Sequence, residues 1–474
     1  MHVDQLTFTT RYVLDSGPIE RFLQFIPMFS HTGVGTANII LEFLKNHDID
    51  VKCCRGQSYD NASNMSGIYN GVQSHILEKC NLAFYIPCTA HSLNLVGKNA
   101  AECCQDVIGF FDIIQKLYAW FSASTHRWHI LTKHLDGLPV IKALSDTRWS
   151  ARHDAVKALN KGYDKTLSAL EELSADSSQP KDSQCVSQGL IKNLKKLETA
   201  VLLELWDALL DRFQKTSLSL QSPDISLNTA ITLLTSLLHF VKERRSEFVK
   251  YERLGVSKCP SVDFKPIHKK KYRFDDDVHT DTVFTPRDRF RCEVFMPLID
   301  HLASSLQTRI DAYVKVNDLF GFFGQLHNMK SSDIETSAGN LISTYPNDFE
   351  CTLSSELVQF AEIFRCAYPQ EHKPESVGDS IEMKMFKMLN NFKQTFPNVM
   401  IAMRIYLSLM SSNCTGERSF SKLKRIKNYL RSTMDQGRLN HLSLMSIEHD
   451  VLINLDFDDL ITDFASRKCR KRPL

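Results

Sequence analysis

No stretch of this 474-residue sequence is a long uninterrupted apolar run. AVLLELWDALL (200–210) and NVMIAMRIYLSLM (398–410) are cut by charge well short of the roughly 20 residues a membrane span needs. The start, MHVDQLTF, lacks the charged-then-apolar pattern of a signal peptide, so a soluble intracellular protein is expected. Excess charge is missing too: 57 Lys plus Arg nearly cancel 55 Asp plus Glu, leaving +2. Any nucleic-acid surface must therefore come from local segregation of charge. Paired metal-ligand clusters are scarce. The 13 cysteines are irregularly spaced, two sets being adjacent pairs (Cys53-Cys54, Cys103-Cys104), and only Cys88-x-x-His91 approaches finger spacing. Free thiols are expected, and no zinc finger.

What is present is apolar material, 43% of residues, enough for about two or three packed lobes. LTFTTRYVL (6–14) has strand composition, and RFLQFIPMF (21–29) reads as its antiparallel neighbour across the turn at 16–18. Helical spacing follows from Thr36 to His47, then a short strand VKCCRGQ (51–57), a helix from Asn64 to Cys80, and a buried strand LAFYIPC (82–88). A long helical stretch from about Ala90 to Leu131 completes a β-β-α-β-α-β-α order. That order predicts a mixed α/β fold with one sheet covered by helices. Beyond residue 152 the periodicity is all helical, with exposed loops expected at 174–187 and 255–289, the latter carrying HKKKYR (268–273). The tail SRKCRKRPL (466–474) has no periodicity and reads as disordered.

Asp60 follows a strand and precedes the small-residue stretch NASNMSG, where α/β folds place catalytic carboxylates and where helix caps also stand. Cys88 and His91 span the next strand end and helix start, with a buried Cys and a first-turn His bonded to backbone as the structural alternative. Arg148 and Trp149 pair a planar cation with an indole, which suits phosphate contact and base stacking or, equally, a core position for Trp149. Glu417 opens an amphipathic helix whose apolar face is Phe420, Leu423, Ile426 and Leu430. Its other face carries Lys422, Lys424, Arg425, Lys427 and Arg431, a candidate DNA contact or a solvated face.

Four blocks carry a resemblance: RGQSYDNASNMSGIYNGVQSHI (55–76), YIPCTAHSLNLVGKNA (85–100), DTRWSARHDAV (146–156) and residues 413–450. Together, in that order, they resemble a hobo/Activator-type (hAT) transposase, and more closely its zinc-finger MYM-type-like branch with domesticated relatives. The resemblance implies a ribonuclease-H-like core interrupted by a large helical insertion. Its divisions would be 1–155 and 396–450 for the core, 156–395 for the insertion and 451–474 for an acidic-then-basic tail. It also implies three carboxylates holding Mg2+ or Mn2+ for DNA strand transfer. Asp60 matches the second catalytic Asp and Glu417 the catalytic Glu, both as metal ligands. Cys88 and His91 match a Cys-x-x-His motif beside the site, and Trp149 a base-stabilising Trp. The apolar residues Phe420, Leu423, Leu439, Leu442 and Met445 belong to the region that matches the family's dimerisation region.

The family's first Asp lies on a strand ahead of the one matching 6–14. MHVDQL leaves no room for that strand, and Asp4 is a poor substitute. Two of three ligands would not hold the ion, since loss of even a supporting partner costs about 10–100-fold. The expectation is therefore a nuclear, self-associating, transposase-derived protein with DNA as a further partner, needing no small-molecule cofactor and without competent cleavage. Strand 6–14 would be left as an exposed edge. DNA affinity would come from the helix at 422–431, from Lys269, Lys270 and Lys271, and from the tail, the last two also serving as nuclear-import signals. The alternative is a truncated form of an active metal-dependent DNA transposase.

Overall fold

A computed structural model describes residues 3–145, 149–222, 225–259, 263–265, 285–368, 380–410, 412–428, 431 and 433–467. The chain divides into two compact units: Met1–Cys88 with Asp318–Leu474 form the first, and Thr89–Asn317 the second. Unit 2 is thus the stretch between the two parts of unit 1, with junctions at 88/89 and 317/318, where the sequence reading set the insertion at 156–395.

Unit 1 opens with a hairpin, β1 (Asp4–Leu14) and β2 (Gly17–Met28), paired antiparallel with Leu14 opposite Gly17. Gly17 sits at φ 125°, a left-handed position that a side chain resists. A register shift between Phe8 and Thr9 leaves Leu23 as the extra residue of a bulge. The helix Gly33–Asn46 is capped by the Thr32 hydroxyl, which accepts the Gly35 N–H at 3.2 Å. It buries Ala37 and Ile40 against Val72, Ile76 and Ala83, with Leu6 and Phe8 of the hairpin packed alongside.

The expected strand at 51–57 is shorter. Asp50 caps a 3₁₀ turn at Val51–Cys53, and β3 is Gly56–Gln57, parallel to β4, Phe84–Tyr85. The ladder nevertheless runs beyond both labels. Phe84, Ile86 and Cys88 donate their N–H groups to the carbonyls of Arg55, Gln57 and Tyr59, at 3.3, 2.9 and 3.4 Å. The expected Asn64–Cys80 helix is broken into Ser63–Ser66 and Val72–Lys79, because Gly67 and Gly71 bracket a turn. One mixed sheet was expected; the described residues form two separate two-stranded sheets. Alternation reveals strand character and not which strands pair.

The described residues of unit 2 are helical throughout. Its centre is Leu197–Leu220, 24 residues that bury Leu203, Leu205, Leu209 and Phe213, with Trp206 fully buried. The expected 90–131 helix is three: Thr89–Ala101, Gln105–Ser122 and Thr125–Leu135. The expected loop at 174–187 shrinks to the link between Tyr163–Ala175 and Lys181–Leu194. There Asp176 accepts the N–H of Ser178 at 2.9 Å. Of the expected loop at 255–289, the two ends are helical, within Phe248–Lys258 and Pro286–Phe290. HKKKYR, with Lys269, Lys270 and Lys271, lies outside the described residues, as does the tail from 468. No helix among the described residues is long and apolar enough to cross a membrane.

Candidate functional site

The β3–β4 ladder ends at the Tyr59–Cys88 bond, so Asp60 and Cys88 leave the sheet at the same edge. Asp60 is exposed, and its side chain accepts the Ala62 N–H at 3.2 Å, closing the turn ahead of Ser63–Ser66. The Tyr85 hydroxyl donates to the Asp60 carbonyl at 3.4 Å, fixing the backbone there. Beneath this edge the buried Gln57 amide donates to the carbonyls of Gln73 (3.1 Å) and Ala83 (2.8 Å).

Cys88 is fully buried, and its sulfur accepts the Asn413 N–H at 3.2 Å. Asn413 is the residue before the helix Cys414–Ile426, and Glu417, exposed, stands on that helix's first turn. The structure thus ties the sheet edge that bears Asp60 and Cys88 to the start of the helix that bears Glu417. A carboxylate there also suits the positive end of the helix. Burial pushes the neighbouring Cys414 thiol up, so it stays protonated.

Among the described residues no three His, Cys, Asp or Glu side chains converge as a metal-holding group. Asp60 and Glu417 are two carboxylates, one already engaged with backbone. His91 lies on Thr89–Ala101, in unit 2, half-buried.

Trp149 is a correction to the base-stacking expectation. It is 7% exposed, packs against Trp206 and Phe213 at ring distances of 5.7 and 6.3 Å, and its backbone N–H donates to the Asn94 side-chain oxygen at 2.9 Å. A Cβ on Gly97 would meet its indole at 2.6 Å. An indole enclosed in this way has no open face for a base. Arg148 lies outside the described residues.

The C-terminal helices dock on the hairpin. Thr7 and Ser419 share a hydroxyl hydrogen bond at 2.8 Å, and the Phe420 ring lies 5.7 Å from that of Phe25. The helix Gln436–Ile447 does something the sequence reading missed: its polar side chains satisfy the outer edge of β2. Asn440 accepts the Phe25 N–H (3.2 Å), Gln436 donates to the Phe25 carbonyl (2.8 Å), and Glu448, just past the helix, accepts the Phe22 N–H (2.7 Å). Arg21 binds Glu448 and Asp450 at 2.7 and 2.9 Å, holding the Asp450 carboxyl below its usual range. The signal was the i, i+4 spacing of Gln436 and Asn440.

Of the apolar residues assigned to dimerisation, Leu439 is 1% exposed and already spent inside unit 1. Leu423 and Leu442 are half-buried, whereas Phe420 and Met445 are exposed at 42% and 43%. Leu430 lies outside the described residues. On the opposite face Lys424 and Arg425 are exposed and Lys422 and Lys427 half-buried; Arg431, also exposed, stands beyond the helix end.

Two family models match the chain. The one described as ZMYM1/FAM200, RNase-like domain covers residues 2–71, and the one described as hAT family C-terminal dimerisation region covers 368–451. The protein named "52 kDa repressor of the inhibitor of the protein kinase" is similar across 96% of this chain, at 22% identity over 481 residues in Homo sapiens and 482 in Mus musculus. The chain spans 61% of the length of these curated relatives. The chain is thus similar to an RNase-like family over the hairpin and first helices, and to the hAT C-terminal dimerisation region over the helices that dock there.

Proposed function

We propose that this chain is the self-associating core of a nuclear, hAT-derived protein that contacts DNA without cutting it. The observation that carries the reading is the docking of Gln436–Ile447 on β2, which seals the strand edge with side chains and turns Leu444 and Met445 to solvent. A sealed edge disfavours strand-to-strand association and leaves the apolar helix surface for a partner copy. A ribonuclease-H-like core with a helical insertion is supported by the RNase-like match and by unit 2 lying between two stretches of unit 1. A regulatory role draws its support from the word repressor in the relatives' printed name.

Sedimentation equilibrium and an electrophoretic shift at several salt concentrations test this. A dimer, with DNA affinity falling steeply as salt rises, is the expected result. A monomer, or a shift insensitive to salt, would overturn it. Nuclear import is tested by replacing the basic residues of HKKKYR and the tail with Ala, which should leave the protein in the cytoplasm.

A second reading is favoured by one observation: the Cys88–Asn413 bond draws the Asp60 edge and the Glu417 helix together. In that reading the chain is part of a metal-dependent DNA transposase, with Mg2+ or Mn2+ as the ion. Divalent-dependent nicking of supercoiled DNA, abolished by Asp60→Asn or Glu417→Gln, would establish it over the first.

A further inference from the structure

The two adjacent cysteine pairs of the sequence stand in opposite surroundings. In the first, Cys53 is exposed, and the half-buried Cys54 donates its thiol proton to the Gly56 carbonyl at 3.1 Å. Burial pushes the Cys54 thiol up, so it stays protonated and inert. The second pair belongs to unit 2, in the link between Thr89–Ala101 and Gln105–Ser122, and both of its thiols are half-buried. Glu102, Gln105 and Asp106 around them are exposed, so small solutes reach the link.

Cys104 is the residue that begins the 18-residue helix, in extended backbone at φ −156° and ψ 161°. The Cys103 thiol donates a hydrogen bond to the Cys104 sulfur and draws it down to about 6; against burial, the Val107 N–H in the first helical turn adds to that effect. The same bond, with burial, holds Cys103 up. One sulfur is therefore a thiolate at neutral pH, and a protonated thiol touches it. That is the division of labour between an attacking and a resolving cysteine.

We propose that Cys103–Cys104 is a peroxide-sensitive modification site, in which Cys104 is oxidised first and Cys103 then closes a reversible disulfide with it. The Cys104 thiolate attacks one oxygen of a hydroperoxide: the S–O bond forms, the O–O bond breaks, and the leaving hydroxide takes up a proton to become water. Sulfur is oxidised by two electrons to the sulfenic acid as the peroxide is reduced. The Cys103 sulfur next attacks the Cys104 sulfur, the S–S bond forms, the S–O bond breaks, and the Cys103 proton leaves with the hydroxide as a second water. Adjacent Cα atoms are about 3.8 Å apart, closer than the roughly 4.4–6.8 Å of ordinary disulfides, so a thiol reductant reopens this ring readily.

The test uses the full-length chain, with Cys103→Ser and Cys104→Ser beside wild type. Serine is a favoured residue at a helix start and keeps a hydroxyl donor at 103, and wild-type circular dichroism confirms that both variants fold. Each protein receives limiting hydrogen peroxide at pH 6, free thiols are capped with N-ethylmaleimide, and the tryptic peptide 99–116, which holds only these two cysteines, is read by mass spectrometry. In wild type it should lose two hydrogens and take no maleimide, and dithiothreitol should restore both capping sites. Cys103→Ser should accumulate a dimedone-reactive sulfenic acid on Cys104, and Cys104→Ser should leave Cys103 reduced. At pH 6 a sulfur of pKa about 6 is half ionised and an ordinary thiol near 8.5 under about 1%, which outweighs its weaker intrinsic nucleophilicity. Cys104 should therefore be oxidised at least about fivefold faster than the exposed Cys185 and Cys292. A wild-type peptide that still takes two maleimides once Cys185 and Cys292 are oxidised overturns the proposal. So does a Cys104→Ser protein whose Cys103 is oxidised as fast as Cys104 is in Cys103→Ser.

Discussion

The sulfur of Cys88 accepts the Asn413 N–H at 3.2 Å, tying the end of β4 to a helix that begins 325 residues later in the chain. Asn413 cannot satisfy that N–H within its own helix, whose first donors are orphans. Cys88→Ala removes both the acceptor and buried volume, and should cost about 1–3 kcal/mol. Urea denaturation measures it. Cys88→Ser, which keeps an acceptor, should recover part of the loss, and equal midpoints for both variants would show that the sulfur contact is immaterial.

Glu448 accepts the Phe22 N–H and pairs with Arg21, and Asn440 accepts the Phe25 N–H. Glu448→Ala and Asn440→Ala should each cost about 1–3 kcal/mol by leaving a strand-edge donor unpaired. The double variant should also aggregate, because an open edge recruits other strands. Light scattering that stays at the wild-type level in the double variant would refute the edge-sealing role.

A Cβ at Gly97 would fall 2.6 Å from the Trp149 indole. Gly97→Ala should therefore destabilise unit 2 by about 1–3 kcal/mol, and Trp149→Ala by about 3–5. Combined, the two should be strongly non-additive, since removal of the indole relieves the clash. DNA retention by folded Trp149→Ala protein should match wild type. A selective loss of DNA binding would restore the base-contact role that burial argues against.

Hydrogen bonding and charge hold several aspartates below their ordinary pKa: Asp450 beside Arg21, Asp15 beside Lys393, and Asp211 beside Lys215 and Lys157. A carboxylate depressed in the folded state contributes stability that is complete above its unfolded value. That contribution should be lost as pH falls through about 3.9 toward the lower folded values. Asp15 and Asp450 are exposed and Asp211 half-buried, so the effect should also shrink with added salt. Denaturant midpoints from pH 3 to 7 measure it, and Asp450→Asn should flatten the acid limb. An acid limb unchanged by Asp450→Asn would remove Arg21–Asp450 from the account.

The hairpin was legible in the sequence because β-branched and aromatic residues flanked a clear turn, and the helical character of the chain beyond residue 152 because 3.6-residue periodicity persisted over long segments. β3 and β4 were placed correctly but drawn too long. Pairing energy decides where a ladder stops, and that depends on a partner distant in the chain. Asp60 stood out for its place at a strand end; that its side chain bonds the Ala62 N–H is a matter of local turn geometry.

Residue order and periodicity by themselves determined the family blocks, the helical character of unit 2, the amphipathic helix at 414–426 and the lack of a long apolar run. Only the tertiary structure decided that Trp149 and Leu439 are enclosed, that Cys88 meets Asn413, and that Gln436, Asn440 and Glu448 seal β2. The physical reason is range. Periodicity is set by neighbours within a turn or a pleat, whereas enclosure and edge satisfaction arise from residues hundreds of positions apart that meet only in the packed unit.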